Sequence, residues 1–534
     1  MDKFLRGVPP TKRLLYDELK KFIDDKQDFL PPIGLIAGLR QTGKTTLLKQ
    51  LAIEYIGIKR VMYINFRDNA VYTYPNNDSL QKLPANKVIY EILAEHYRNY
   101  DLFLLDEITF LEDYEVISGN LYDSSGGSGW KYKVIMTGSS PFHIRSLSSG
   151  SLGGGRCRLF RLSVLKFVEY LHISKNVSYT DYSCVTRDDF IDYLTLKNLP
   201  TPALKTFDSR YFVNYYDDVV AGDETTCHSR GISRLGSEDL VDLSYVLAYQ
   251  LAYRVGFQKL AKINAGKYEL GHFGGRSNFD LSHSLVSVSS KNINRIKSKD
   301  KSEDIANLLH FLIESDIVNI ETELGSDEQV AQSPIMLSRN IRHFTSSDFH
   351  KFFETHSISV NSPLLYSKLG DDILSIAGIS LEEFYIALQS RVNTLLGDLL
   401  EVYLRGGVAE LDTTGLPYIS KKLSIGHDAE IDIISTNFRI MCESTVKNKD
   451  KGKVYLADYY RDEEFIRVCT TSDLIGVKGC YLMIPWYLFC CMIDTRDVLK
   501  LPKTKSSDFL GDVQENVVSV PGTVEEYLQK YVVR

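Results

Sequence analysis

The sequence is poor in several signals that would otherwise decide its class. Its eight cysteines, Cys157, Cys184, Cys227, Cys442, Cys469, Cys480, Cys490 and Cys491, contain no CxxC pair and no metal-ligand spacing with histidine. That argues against zinc-ribbon and dithiol redox chemistry, and leaves buried, reduced thiols of a cytosolic protein as the expectation. The opening residues Met1-Asp2-Lys3-Phe4-Leu5-Arg6 lack the apolar core of a signal peptide, so none is expected. The one strongly apolar run, Cys480 to Ile493, is too short to span a bilayer and holds Pro485; a core strand is expected there, and no membrane partner. No low-complexity tract or short-period repeat is present, which argues against solenoids and fibres. Nor is there a cationic excess: the net charge is -7, so nucleic acid would have to meet local basic patches. What remains is an ordinary soluble composition, 25% charged, over 534 residues, long enough for about three or four domains.

Against that background one stretch stands out, Gly38-Leu39-Arg40-Gln41-Thr42-Gly43-Lys44-Thr45. It is a glycine, four residues, then Gly-Lys-Thr, the phosphate-loop pattern. Ile33-Gly34-Leu35-Ile36-Ala37 before it reads as a buried parallel strand, and Thr46-Leu47-Leu48-Lys49-Gln50-Leu51-Ala52 after it has helical periodicity. A strand that feeds a glycine turn and opens a helix surrounds a phosphate chain with backbone N–H groups, here from Gly38 to Thr46. Lys44 would reach the β- and γ-phosphates and the Thr45 hydroxyl would ligate Mg²⁺, which makes ATP and Mg²⁺ the expected cofactors. Gly38 and Gly43 supply backbone angles and close approach that side chains would forbid.

The flanking sequence fits the same reading. Leu14, Leu15, Leu19 and Phe22 share one helical face in a leading helix expected within 10–29, which stops before Pro31-Pro32. Arg60 to Phe66 is a second apolar run, and Asp101 to Glu107 a third that ends in two acids. Asp106 would hold Mg²⁺ through water and Glu107 would polarise the attacking water. Adjacent acids at a strand end are also a common surface feature; the upstream loop is what favours the catalytic reading. A fourth strand, Lys133 to Thr137, runs into Gly138-Ser139-Ser140. Ser139 or Ser140 is placed to hydrogen-bond the γ-phosphate or the attacking water, unless Ser140-Pro141 merely caps a turn. Arg156, after Gly153-Gly154-Gly155, suits an arginine finger acting in cis or toward a neighbouring subunit, and equally a solvated loop arginine; the version in trans would imply a homo-oligomer.

The succession GLRQTGKTTLL, FLLDEI, VIMTGSSP, GGR and LKFVEYL resembles the AAA-type ATPase family of bacteria and archaea whose members join an ATPase domain to a C-terminal region of the DUF4143 type. In that family the last element reads Pro-Leu-Ser-Phe-x-Glu. Here Val164-Leu165-Lys166-Phe167-Val168-Glu169 keeps Phe167 and Glu169 and departs at Val164 and Lys166, while Thr109 stands where the family has Gln. The resemblance implies an α/β fold: a P-loop NTPase domain of AAA type over 1–165, a helical lid or linker over 166–275, a winged helix over 276–345 and a nuclease-like α/β domain over 375–505. Lys291 to Lys301 is a basic run just ahead of an amphipathic helix, Ile305 to Glu314, and suits either phosphate contacts with DNA or a solvated face.

The C-terminal region carries a second candidate chemistry. Glu401 reads as helical, Asp432 lies in the strand-like Ala429 to Ile434, and Glu443 ends the next run, Phe438 to Glu443. Alternation would let Asp432 and Glu443 face one divalent ion, Mg²⁺ or Mn²⁺, with Glu401 approaching from the helix. That set is similar to the PD-(D/E)xK nuclease fold, but the lysine two residues after the Glu is Thr445 here, with Lys447 and Lys449 close by. A working nuclease, a retired one and plain strand-end acids all remain compatible with these residues. Two functions of different class follow: an ATPase whose hydrolysis serves nucleic acid, or an ATP-dependent switch that senses a protein partner.

Overall fold

The computed structural model describes residues 7–25, 31–38, 41–91, 99–124, 132–139 and 141–194, strands at 318–323 and 356–360, and most of 396–411, 419–444 and 462–505. The chain divides into two compact units, the first essentially Met1–Val164 and the second the remainder from Leu165.

The first unit is built on six strands, β1 (Ile33–Ala37), β2 (Val61–Asn65), β3 (Ala70–Tyr74), β4 (Leu102–Asp106), β5 (Lys133–Thr137) and β6 (Cys157–Arg161). Their order across the sheet is β3-β2-β4-β5-β1-β6. All pairings are parallel except that of β3 with β2. Every residue of β1, β2, β4 and β5 is buried. This is what unbroken apolar runs imply, because a parallel sheet is covered on both faces by its crossover helices. Alternation sorts the side chains: Ile33, Leu35, Phe103 and Leu105 join a core with α3 (Ala85–Glu91), α4 (Tyr114–Ser124) and α5 (Pro141–Ser149). Ile36, Leu102 and Leu104 face the opposite way, against α1 (Leu15–Asp24) and α2 (Lys44–Tyr55). Each such side chain contributes roughly 1.5–3 kcal/mol by leaving water. The strand β3 was not expected from the sequence. Its half-exposed alternation, with an open edge, gives only a short period-two signal between turns.

The second unit begins with α6 (Phe167–Lys175) and α7 (Arg187–Leu194). The helical, winged-helix and basic-run readings between 195 and 317 lie outside the described residues. Beyond them β7 (Val318–Glu323), β8 (His356–Val360), β9 (Ile419–Ile425) and β10 (Ala429–Ile431) form a sheet in the order β10-β9-β7-β8. A separate sheet, ordered β11-β12-β13-β15-β14, holds β11 (Ile433–Ser435), β12 (Ile440–Glu443), β13 (Ile466–Thr471), β14 (Gly476–Lys478) and β15 (Tyr481–Pro485). The apolar run expected as one core strand corrects to a strand and a helix: β15 ends at Pro485 and α8 (Trp486–Asp494) starts at once. Pro485 takes the helix N-cap position with its N–H already absent, so the ring marks a change of element inside an apolar stretch that periodicity alone could not divide. No helix among the described residues is long and apolar enough to cross a membrane.

Buried aromatic rings tie these helices together. Phe190 packs edge-on against Phe167, Tyr403 and Trp486, with centroids 4.9, 5.2 and 5.1 Å away. At their centre the start of α6 is capped from far along the chain. Lys166, at the N-cap position, offers no acceptor, and only the Glu169 carboxylate reaching back to its N–H at 3.0 Å survives of a capping box. The Phe167 N–H instead donates to the Tyr403 hydroxyl at 2.9 Å and the Val168 N–H to the Asp494 carboxylate at 3.2 Å. Tyr403 itself donates to that carboxylate at 2.7 Å. Burial raises the Asp494 carboxyl from 3.8 to about 7, against the pull of Lys166 and these donors. A carboxyl raised in this way binds its proton more tightly when folded. Its favourable share is complete below about pH 4 and lost as the pH rises through about 7.

Thermal unfolding followed by circular dichroism checks this account. Asp494→Ala should destabilise the chain by about 1–2 kcal/mol through the lost cap. Asp494→Asn, which keeps an acceptor, should cost less and should flatten the loss of stability between about pH 4 and 7.

Candidate nucleotide site

The turn between β1 and α2 is shaped by what surrounds it. A Cβ on Gly38 would lie 2.2 Å from the Leu162 carbonyl oxygen, so only glycine lets the chain leave β1 beside the segment that leaves β6. The Leu162 N–H donates to the Ala37 carbonyl at 2.8 Å and fixes that approach. Gln41 at φ 63 and Gly43 at φ 97 are both left-handed, which curls the loop onto the helix start. Gly43 is the N-cap of α2, and no side chain caps the first turn, whose N–H groups therefore present partial positive charge to an anion. Lys44 is buried, and its ammonium donates to the Gly38 carbonyl at 2.7 Å, so it spans the loop. Thr42 is buried as well; Thr45 and Thr46 are half-buried on the first turn of α2. Leu39 and Arg40 lie outside the described residues.

Asp106 closes β4 fully buried, and three side chains answer its charge. Tyr63 and Asn65, two residues apart on β2 and so on one face, donate to Oδ2 at 2.8 and 2.9 Å. Thr137, the last residue of β5, donates to Oδ1 at 2.6 Å. Burial pushes the Tyr63 phenol far up beside that carboxylate, so it remains a donor across the working pH range. The following residue, Glu107, takes left-handed angles of φ 58 and ψ 43. Its N–H donates to the Thr137 hydroxyl at 3.3 Å, and its carboxylate accepts from the Ser139 hydroxyl at 2.5 Å. The structure thus brings Asp106, Glu107 and Ser139 into one hydrogen-bonded chain through Thr137. Ser140 lies outside the described residues.

The sequence reading missed Tyr63, Asn65 and Thr137. A polar residue at the C-terminal end of an otherwise apolar, fully buried run was the available signal, and Asn65 pairs directly with Asp106 in the sheet register. Arg156 stands apart: it is exposed, follows Gly154 and Gly155 at positive φ, and lies over the Tyr122 ring with 5.0 Å to the centroid.

In the second unit, Asp432 sits at the break between β10 and β11, not within one strand, and its carboxylate accepts the Ser444 N–H at 2.7 Å. The pairing of Ile433 with Cys442 makes Asp432 and Glu443 the next facing positions. Among the described residues no three His, Cys, Asp or Glu side chains gather closely enough to hold a metal, so Glu401, Asp432 and Glu443 are not assembled as a three-carboxylate group. Thr445, Lys447 and Lys449 lie outside the described residues.

A protein-family model described as an AAA domain matches residues 31–171. The matched segment holds the parallel sheet, the phosphate loop and the paired acids, and is similar to an AAA domain. The chain matches no curated protein. Among solved structures, a DNA replication initiation factor is 17% identical, over 69% of this chain and 99% of that one, with a TM-score of 0.25. AMPPCP-bound DnaA from Aquifex aeolicus is 14% identical over 72% and 94%, with a TM-score of 0.27. The ORC2 protein of Aeropyrum pernix, in ADPNP and ADP complexes, is 12% identical over 70% and 97%, with a TM-score of 0.32.

Thr137 offers a direct test of the buried chain. Thr137→Val leaves an Asp106 oxygen and the Glu107 N–H without their partner and should cost about 1–3 kcal/mol of stability, read by chemical denaturation. Thr137→Ser, which keeps the hydroxyl, should cost much less.

Proposed function

We propose that the first unit binds ATP with Mg²⁺ and hydrolyses it. The observation that carries this is the hydrogen-bonded Asp106–Thr137–Glu107–Ser139 chain at the C-terminal ends of β4 and β5, where open α/β sheets bind ligands, in a domain whose β1 feeds a phosphate loop. The residues present fit the ligand. Lys44 and the uncapped α2 N-terminus supply positive charge, the Thr45 hydroxyl a hard oxygen, and Asp106 a carboxylate fixed by three donors. A carboxylate has about four acceptor positions, so Asp106 with three donors retains one for a metal-bound water. When bound, Mg²⁺ would neutralise charge on the phosphate oxygens.

The chain's own groups would do the rest. Lys44 exchanges the Gly38 carbonyl for phosphate oxygens. Glu107 orients the attacking water and takes its proton, held in place by the Ser139 hydroxyl. Arg156 is the candidate to meet the transition-state charge, within the chain or from a second copy.

For what hydrolysis drives, we favour a nucleic-acid-linked role in which a winged helix and a nuclease-like region respond to nucleotide state. One observation favours the second reading, a switch that docks a protein partner on a nuclease-like domain that does not cut. The Asp432 carboxylate is engaged by the Ser444 backbone, a structural use that ties the open end of the β11–β12 hairpin, just before β11 and just after β12.

Turnover assays on the purified chain test both layers. Lys44→Ala should abolish ATP binding, and Glu107→Gln should retain binding while losing roughly 10²–10⁴-fold in turnover; unchanged turnover in Lys44→Ala would refute the site. DNA that stimulates turnover, less so as salt rises, supports the first role. DNA that neither stimulates nor is cut with Mg²⁺ or Mn²⁺ supports the second.

A further inference from the structure

Arg13 precedes α1 and is buried, although nothing in its sequence surroundings marks it. Its guanidinium joins two segments distant in the chain. One nitrogen, Nη1, donates to the Thr42 carbonyl at 2.6 Å. The other, Nη2, donates to the carbonyls of Ser163 at 3.0 Å and Val164 at 3.3 Å. Thr42 is the fully buried loop residue just before the N-cap of α2, and Ser163 and Val164 directly follow Leu162, the residue whose carbonyl Gly38 packs against.

Peptide geometry gives this contact a consequence. A trans peptide is planar and its C=O and N–H point in opposite directions. Fixing the Thr42 carbonyl on Arg13 therefore fixes the Gly43 N–H away from Arg13. Gly43, at φ 97, has no side chain that would restrain this peptide in any other way. A Thr42–Gly43 unit turned the other way would present a carbonyl where a phosphate needs a donor. Burying a guanidinium is costly, and an apolar side chain could fill the space without that cost. What arginine adds is a planar fork that holds several carbonyls at once and remains charged.

We propose that Arg13 is a positioning residue for the phosphate loop: it turns the Thr42–Gly43 peptide so that the Gly43 N–H faces the β-phosphate of a bound nucleoside di- or triphosphate. It anchors that peptide to the segment leaving β6. This rests on the ATP reading of the same loop.

The test uses the full-length chain as wild type, Arg13→Lys, Arg13→Ala and Lys44→Ala. It measures affinity for a fluorescent ADP analogue, KM and kcat for ATP, and melting temperature without nucleotide. Arg13→Lys should keep a melting temperature close to wild type, because a cation remains, yet bind ADP about tenfold or more weakly, because a point charge cannot hold the fork of carbonyls. Its KM for ATP should rise in step while kcat at saturation stays within about twofold. Methylguanidinium added to Arg13→Ala should restore part of the lost ADP affinity. Arg13 variants that bind ADP as tightly as wild type, or an affinity loss that only follows the melting temperature and resists methylguanidinium, overturn the proposal and leave Arg13 a packing residue. A wild-type chain that binds ADP no better than Lys44→Ala overturns the nucleotide reading itself, and the role of Arg13 with it.

Discussion

A carboxylate taken fully out of water must be answered by donors, and in this chain the answer to Asp106 organises the nucleotide side of the sheet. Its partners come from both neighbouring strands: Tyr63 and Asn65 from β2, Thr137 from β5. An isolated buried charge would cost many kcal/mol or take up a proton. Three donors offset that cost, and the strands that supply them are held in register at their C-terminal ends. The same donors fix the direction of the carboxylate, so one arrangement both stabilises the sheet and orients the acid that the proposed function assigns to the metal.

Asp494 meets the same constraint with fewer resources and a different outcome. It accepts from Tyr403 and the Val168 N–H, and burial outweighs them, so its carboxyl is lifted to about 7. Here the charge is dispensable. The group's work is to cap α6 where Lys166 cannot, and a protonated carboxyl still has an oxygen to accept an N–H. Lys166, which has no acceptor to offer at the N-cap, is thus accommodated inside the second unit by side chains hundreds of residues away.

These contacts explain what could be read in advance. β1 and β5 were legible to the residue, because a buried parallel strand leaves an unbroken apolar run bounded by turn residues. The loop from Gly38 to Thr45 and the pair Asp106-Glu107 could be singled out because phosphate-loop chemistry would need particular residues at fixed spacing, and the structure sets the first between β1 and α2 and the second at the end of β4. Tyr63, Thr137 and Arg13 were not, because each acts through a partner brought near only by folding, and a tyrosine in an apolar strand looks like any other core residue. The strand-to-helix change at Pro485 escaped for another reason: burial on all sides erases the periodicity that separates the two structures.

The adjacency of Asp106 and Glu107 poses a geometric problem that the backbone resolves. Successive residues of a strand point to opposite faces, so an extended Glu107 would carry its carboxylate away from Asp106. The chain leaves β4 at that residue and adopts the left-handed conformation, a cost of roughly 1–2 kcal/mol for a side chain with a Cβ. Two contacts offset it: the N–H that the turn directs to Thr137, and the carboxylate that it delivers to Ser139. Glycine would adopt the same angles freely but has no carboxylate to deliver. A strained glutamate there is what the proposed chemistry at this strand end would require, and strain that a smaller residue would have avoided is what directs the functional hypothesis to this position.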